Sequence, residues 1–393
     1  MSEIKTIFIS TGEVSGDLQG ALLIEALKRQ AVDAGLELEI LALGGDRMAA
    51  AGATLLGNTS SIGSIGTLLE ALPYVLPTLQ LQRHARQYLQ RHPPNLVVLI
   101  DYAGPNLSIG SYIFRQMPKV PIVYYIAPQV WVWWPNQRDS ARIVSMTDKL
   151  LAIFPEEARY FREKGAEVTW VGHPLIDRMQ TAPSREAARA SLGISPEQTA
   201  IALVPASRRQ ELKYLLPVMF QAAQQIQAKL PQVHFLIPLS LEIYRQPIEQ
   251  AIGRYGLRAT LLSGQTKEAI AAADLAITKS GTANLEIALL NVPQVVVYCV
   301  SPITAWIART FLKISLPFMS PPNIVVMRPI VPELLQEQAT PENIVQAALE
   351  LLLNPVRRQQ TLADYQEMRQ SLGEVGAAAR AAQEILQLLL NQC

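Results

Sequence analysis

The chain has 393 residues, more than a single hydrophobic core usually organises, so two domains of similar size are expected. With 34 basic residues against 33 acidic ones the net charge is +1, which leaves no electrostatic footprint for nucleic acid. Hydrophobic residues make up 49% of the chain, yet no uncharged apolar run reaches the roughly 18 residues that a spanning helix needs. The opening MSEIKTIFIS has neither a basic start nor a cleavage site, so no secretory signal is expected. Two cysteines, Cys299 and Cys393, suit a reducing compartment. His84, His92, His173 and His234 are scattered, so neither a metal site nor a cofactor is expected.

Taken in chain order, TIFIS, LELEILALGG, NLVVLID, VPIVYYIA, KLLAIFP and AEVTWVGHP read as strands, with helical stretches such as LQGALLIEALKRQ, LQLQRHARQYLQRH and EEARYFREKG between them. Apolar runs of this length separated by helices predict a parallel sheet covered on both faces. After SREAARASLGI the series begins again with AIALVPAS, VHFLIPLS, RATLLSG, LAITKSG and VPQVVVYCV. The fold class is therefore α/β, with two Rossmann-like doubly wound domains facing a central cleft. The junction is expected near Gly172-His173-Pro174, giving domains 1–173 and 174–345, with tail helices over 346–393 packing back across both.

Ligands of such sheets bind beyond the carboxyl ends of the strands. The stretch STGEVSGDLQG places a glycine-bearing turn after the first strand, the usual place of a phosphate cradle, but Glu13 and Asp17 would repel a diphosphate. Asp17 reads as a helix cap, and Gly16 and Gly20 as points where the helix approaches the sheet. In the second half, TKSGTANLEIALL carries Ser280, Gly281, Thr282 and Ala283 into the start of a helix, whose amides and dipole favour a diphosphate. Glu286, one turn further, suits two ribose hydroxyls. The alternative there is an ordinary capped helix with a surface glutamate. Ser207 and Arg208, in ALVPASRRQE, supply a hydroxyl and a cation that can neutralise a leaving diphosphate without a metal.

GEVSGD, IDYAGPN, APQVWVW, VGHPLID, PASRRQE, SGTANLE and PPNIVV occur in one order along the chain, from about residue 6 to about residue 340. The series resembles that of the lipid-A-disaccharide synthase family, inverting glycosyltransferases of the GT-B fold. The resemblance implies transfer of diacylglucosamine from UDP-2,3-diacylglucosamine to 2,3-diacylglucosamine 1-phosphate, forming a β-1,6-linked disaccharide and UDP. It places Asp101 as the base that takes the proton of the attacking 6-hydroxyl, with Glu13 assisting or orienting the acceptor and Ser15 beside it. His173 and Trp131 are expected on the acceptor side, and Trp133 and Trp134 as further parts of an acyl or sugar platform. Ser207, Arg208, Ser280, Gly281, Thr282, Ala283, Glu286 and Asn323 are expected around UDP.

Simpler readings stay open. Asp101 could cap a helix, His173 could be a hinge histidine satisfied by backbone, and the tryptophans could be packed. The sequence also departs from the family pattern. Gly104 stands where a second aspartate is usual, Ala206 replaces a glycine, WVWWPNQR lacks an arginine, and Met327-Arg328-Pro329 replaces Gly-Arg-Glu. Another UDP-sugar transferase or epimerase of the same fold, or a silent lipid or nucleotide binder, remains the alternative. Apolar residues beside Arg83, Arg86 and Arg91, and again beside Arg309 and Lys313, suit peripheral association with the cytoplasmic face of the inner membrane, against a core-packed helix as the other reading. A homodimer is left open.

Overall fold

The structure is a computed structural model that describes residues 4–12, 14–59, 68–132, 137–205, 209–300 and 318–391. The chain forms two compact units, Met1–Asp177 with Leu372–Cys393, and Arg178–Ser371.

The first unit holds a seven-stranded parallel sheet made of β1 (Ile4–Ser10), β2 (Glu37–Gly44), β3 (Thr54–Asn58), β4 (Leu96–Ile100), β5 (Ile122–Tyr125), β6 (Lys149–Ala152) and β7 (Val168–Trp170). The order is β3-β2-β1-β4-β5-β6-β7, so the direction of winding reverses between β1 and β4. The central strands are apolar on both faces because helices cover both. All five residues of β4, LVVLI, are buried, as are all four of β5, IVYY. Phe8, Val97, Leu99, Tyr124 and Leu150 pack with Ile109, Ile113, Ile143 and Phe161 from the covering helices. Each such side chain contributes about 1.5–3 kcal/mol on leaving water.

The second unit repeats the plan with six parallel strands, β8 (Ala200–Val204), β9 (His234–Leu239), β10 (Ala259–Ser263), β11 (Leu275–Lys279), β12 (Gln294–Tyr298) and β13 (Glu333–Leu335). Its order is β10-β9-β8-β11-β12-β13, and the winding reverses between β8 and β11. The eleven strands expected from apolar runs are present. β3 and β13 are additional, and both are short edge strands with no fully buried residue.

Two boundaries differ from the expected ones. The first unit runs on through Asp177 because Leu175 and Ile176 are buried and the Asp177 carboxylate accepts the Gly376 and Ala377 amides at the start of the last helix. The tail is not a third segment. The Pro341–Leu353 helix buries Ile344, Val345, Ala348 and Leu351 in the core of the second unit. The Ala377–Leu390 helix belongs to the first unit, where it packs on the Val14–Asp33 helix with Lys149–Glu384 at 2.6 Å and Gln30 Nε2 donating to Ala379 O at 2.8 Å.

The small residues of the opening turn have steric reasons. A methyl group on Gly16 would meet Thr11 Oγ1 at 1.9 Å, and one on Gly20 would meet Met48 Sδ at 2.5 Å. Asp17 does cap a helix, but not its own: its carboxylate accepts the amides of Gly45, Arg47 and Met48 at the start of Asp46–Ala50.

Candidate functional site

The reversal between β1 and β4 brings two sequence-predicted positions to neighbouring strand ends. Ser15 lies exposed in the first turn of the helix after β1, and half-buried Asp101 follows β4 directly. Glu13 lies outside the described residues. Asp101 does not cap the following helix. That helix, Ala103–Gln116, starts two residues later, and its cap position is Tyr102, without a side-chain capping bond. Instead Asp101 and Tyr102 are both left-handed, with φ of 47° and 52°, and Ile126 at the end of β5 is left-handed at 60°. Three non-glycine residues in this region within one strand-end cluster are costly, each by about 1–3 kcal/mol.

Buried donors hold the cluster. The Asp101 amide donates to Ile126 O at 3.0 Å, and the Asp101 carbonyl accepts from Asn106 Nδ2 and from the Tyr124 hydroxyl, both at 2.9 Å. Asn106 is fully buried and also donates to Ser10 O and Ile100 O, while Ser10 Oγ donates to its Oδ1 at 2.7 Å. Burial, and then the Asp101 carboxylate, push the Tyr124 phenol well above its usual range, so it keeps the proton it donates. The Tyr102 ring lies so close over Gly12 that a methyl group there would stand 2.1 Å from Tyr102 Cδ1.

One carboxylate supports the next two strand ends. Glu157, fully buried, accepts from the amides of Ala127 and Ile153 at 2.9 Å and of Phe154 at 3.3 Å. Burial raises its pKa to about 8; the three amides oppose the shift, and Asp101 adds to it. The Phe154 ring bridges Trp131 at 5.9 Å and His173 at 5.2 Å, so these two predicted residues belong to one aromatic row. His173 Nδ1 accepts from the Leu175 amide, which leaves the ring proton of the neutral form on Nε2. Trp131 Nε1 is buried without a hydrogen-bond partner among the described residues. Trp133 and Trp134 lie outside them.

In the second unit, β8 and β11 pair at Val204 and Thr278, so the chain leading to Ser207 and Arg208 leaves the sheet beside the one leading to Ser280. Ser207 and Arg208 themselves lie outside the described residues. Ser280 Oγ donates to Met319 O at 2.6 Å, and the Gly281 amide, expected to be open, is taken by Asn284 Oδ1 at 2.7 Å. Thr282 is exposed at the start of Ala283–Leu289. Glu286 is half-buried and faces Arg178 Nη1 at 3.6 Å.

Asn323 needs a correction. It is 1% exposed, its Nδ2 donates to Val331 O and Glu333 Oε1, and its Oδ1 accepts the amides of Ile330 and Val331. With both ends of its amide engaged, its side chain shapes the loop. Glu333 completes that network by accepting the amides of Met319 and Ser320. Asn106, Tyr124, Glu157, Arg178, Asn284 and Glu333 were not expected from sequence. For Glu157 a signal existed: Pro155 marks a helix start, and a glutamate two residues later can turn back to accept the amide just before the helix.

Among the described residues no group of three histidine, cysteine, aspartate or glutamate side chains could hold a metal ion. No described helix is long and apolar enough to cross a membrane.

The family model described as Lipid-A-disaccharide synthetase matches residues 7–387. A Lipid-A-disaccharide synthase of Gloeothece citriformis is 65% identical over 380 residues, covering 97% of this chain and 99% of the relative. A second, of Synechocystis sp., is 58% identical over 388 residues and covers 98% of each. A crystal structure described as a UDP-N-acetylglucosamine 2-epimerase of Listeria monocytogenes matches with a TM-score of 0.66 at 16% identity, covering 99% of this chain and 98% of that one. At so low an identity the likeness shows the fold alone.

Proposed function

The chain belongs to the lipid-A-disaccharide synthase family, and from that premise we infer how its two sheet edges divide the reaction. The fold is GT-B and the enzyme is an inverting glycosyltransferase. It transfers 2,3-diacylglucosamine from its UDP carrier to 2,3-diacylglucosamine 1-phosphate, giving a β-1,6 disaccharide and UDP in lipid A biosynthesis.

The first unit takes the acceptor. As the acceptor 6-hydroxyl oxygen attacks C1 of the donor sugar, the bond from C1 to the diphosphate oxygen breaks on the opposite side, and the configuration inverts. Asp101 receives the hydroxyl proton, with Glu13 assisting and Ser15 as a further acceptor contact. The observation that carries this assignment is the position of Asp101 at the winding reversal, held left-handed by buried donors. His173 and Trp131 support the acceptor sugar or its phosphate through the row they form with Phe154.

The second unit takes UDP. Arg208 and Ser207 neutralise the leaving diphosphate beside the Ser280–Ala283 turn, and Glu286 accepts the ribose hydroxyls in exchange for Arg178. Asn323 acts behind them, by fixing the loop that Ser280 leans on.

Both substrates carry acyl chains, and the enzyme meets them as a peripheral protein on the cytoplasmic face of the inner membrane. Support comes from the Leu68–Arg91 helix, where Leu76 and Leu79 are 69% and 58% exposed and are followed by exposed Arg83 and Arg91. Side chains through Val75 and the second apolar–basic stretch, residues 301–317, lie outside the described residues.

Purified protein given both substrates should release UDP together with a product of disaccharide mass. UDP release or sugar epimerisation that needs no acceptor would instead place the chemistry with the epimerases of this fold.

A further inference from the structure

We propose that Tyr124 and Asn106 are positioning residues for the transfer: the two hydrogen bonds they donate to the Asp101 carbonyl fix that residue in the left-handed conformation from which its carboxylate meets the acceptor hydroxyl. The inference rests on the reading of Asp101 as the base. Neither residue needs to touch a substrate, since both side chains are fully buried beneath the strand ends.

The geometry argues for purpose beyond packing. A left-handed aspartate followed by a left-handed tyrosine relaxes toward ordinary extended or helical backbone unless something holds the peptide between them. That peptide carries the Asp101 carbonyl, and it is the group both donors reach, at 2.9 Å each. They come from different directions: Asn106 lies one turn into the Ala103–Gln116 helix, and Tyr124 lies on the neighbouring strand β5. The amide side of Asp101 is fixed as well, by its bond to Ile126 O. Asn106 adds the ends of β1 and β4 to the same clamp through Ser10 and Ile100. Rotating that peptide by tens of degrees would swing the Asp101 side chain away from any one hydroxyl. A base misplaced by about 1 Å can lose a factor of up to ~10² in rate.

Tyr124→Phe removes one donor and leaves the ring, so it is the cleaner variant; Asn106→Ala breaks four bonds and serves only as a folding-sensitive companion. With UDP release as the assay, Tyr124→Phe should lower kcat about 10–100-fold and leave KM for the UDP-sugar unchanged. The decisive comparison is a double-mutant cycle with Asp101→Asn. Once the carboxylate is gone its aim no longer matters, so Tyr124→Phe should cost nothing further in that background. A slow Asp101→Asn beside a Tyr124→Phe of wild-type kcat would overturn the positioning role alone, as would equal losses from Tyr124→Phe in both backgrounds. Full turnover in Asp101→Asn would overturn the base assignment, and the positioning role with it.

Discussion

The two sheets share an architecture but finish their carboxyl edges differently. At the winding reversal of the first unit the backbone itself is distorted: Asp101 and Tyr102 leave β4 left-handed, facing a left-handed Ile126, and a buried glutamate holds the next loops. At the corresponding place in the second unit, Ser280 and Gly281 are tied down by side-chain networks through Asn284, Gln294, Asn323 and Glu333. The contrast suits the two tasks proposed above. A base must be aimed at one hydroxyl, and strained backbone held by buried donors does that. A nucleotide is recognised at several points together, for which a stiff, fully hydrogen-bonded loop suffices.

The largest expected effect tests the strained edge. Asp101→Asn keeps the shape but cannot take the proton, so turnover should fall about 10²–10⁴-fold while donor affinity barely moves. Steady-state kinetics beside calorimetric UDP binding would show this. Retained turnover in Asp101→Asn, with activity abolished by Glu13→Gln, would move the base to the opening turn.

Glu286→Ala probes the other edge. Loss of charge-assisted bonds to ribose should weaken UDP binding by about 1–3 kcal/mol without altering thermal unfolding. Unchanged calorimetric affinity would remove Glu286 from the nucleotide site and leave it as a partner of Arg178.

A third measurement concerns the buried acid. Glu157 titrates near 4.5 when unfolded and at about 8 in the fold, so between these values the folded chain binds the extra proton. Stability from this group is complete below pH 4.5 and is lost as pH rises toward 8, with a slope of at most about 1.4 kcal/mol per pH unit. Glu157→Gln should flatten that part of the curve in unfolding experiments; an unchanged pH dependence would mean that the three amides hold Glu157 ionised throughout.

The smallest effect separates strain that serves the reaction from strain that does not. Met327 is left-handed, with φ of 50°, at the end of the Pro321–Val326 helix, where the family pattern has glycine. Met327→Gly should raise stability by about 0.5–1 kcal/mol in denaturant unfolding, because glycine takes this conformation without steric cost. Arg328 anchors the turn through Asp364 at 2.8 Å and through Glu367, so activity should not change.

How much was legible follows from which physical signal each residue emits. Strands announce themselves as apolar runs, most of them buried on both faces, and eleven were readable that way, including the partly exposed edge strands β7 and β10. β3 (TLLGN) and β13 (ELL) are partly exposed edge strands with only two apolar residues each, too few to stand out as a run. A charged residue at a strand end and another one turn into the following helix were legible as well, which is why Asp101 and Glu286 stood out. Asn106 and Tyr124 did not, because a buried amide and phenol look like any polar position on a helix and a strand until the partner carbonyl is known. Asn323 misled for the opposite reason: its place in a family motif suggested ligand contact, whereas its four hydrogen bonds all stay within the protein.

The return of the chain to the first unit at Leu372 also has a consequence for biosynthesis. Emerging from the ribosome, residues 1–177 hold all seven strands of the first sheet but lack the helix that covers the Val14–Asp33 helix, and they wait for it while the whole second unit is made. The second unit is continuous and can close first, so the half of the molecule synthesised earliest is completed last. In that interval the Val14–Asp33 helix, on which the final one packs, lacks that cover, and Lys149 has no Glu384 to meet. A ribosome that stops after Ser371 therefore damages the beginning of the protein, leaving the first unit uncovered while the second stands finished.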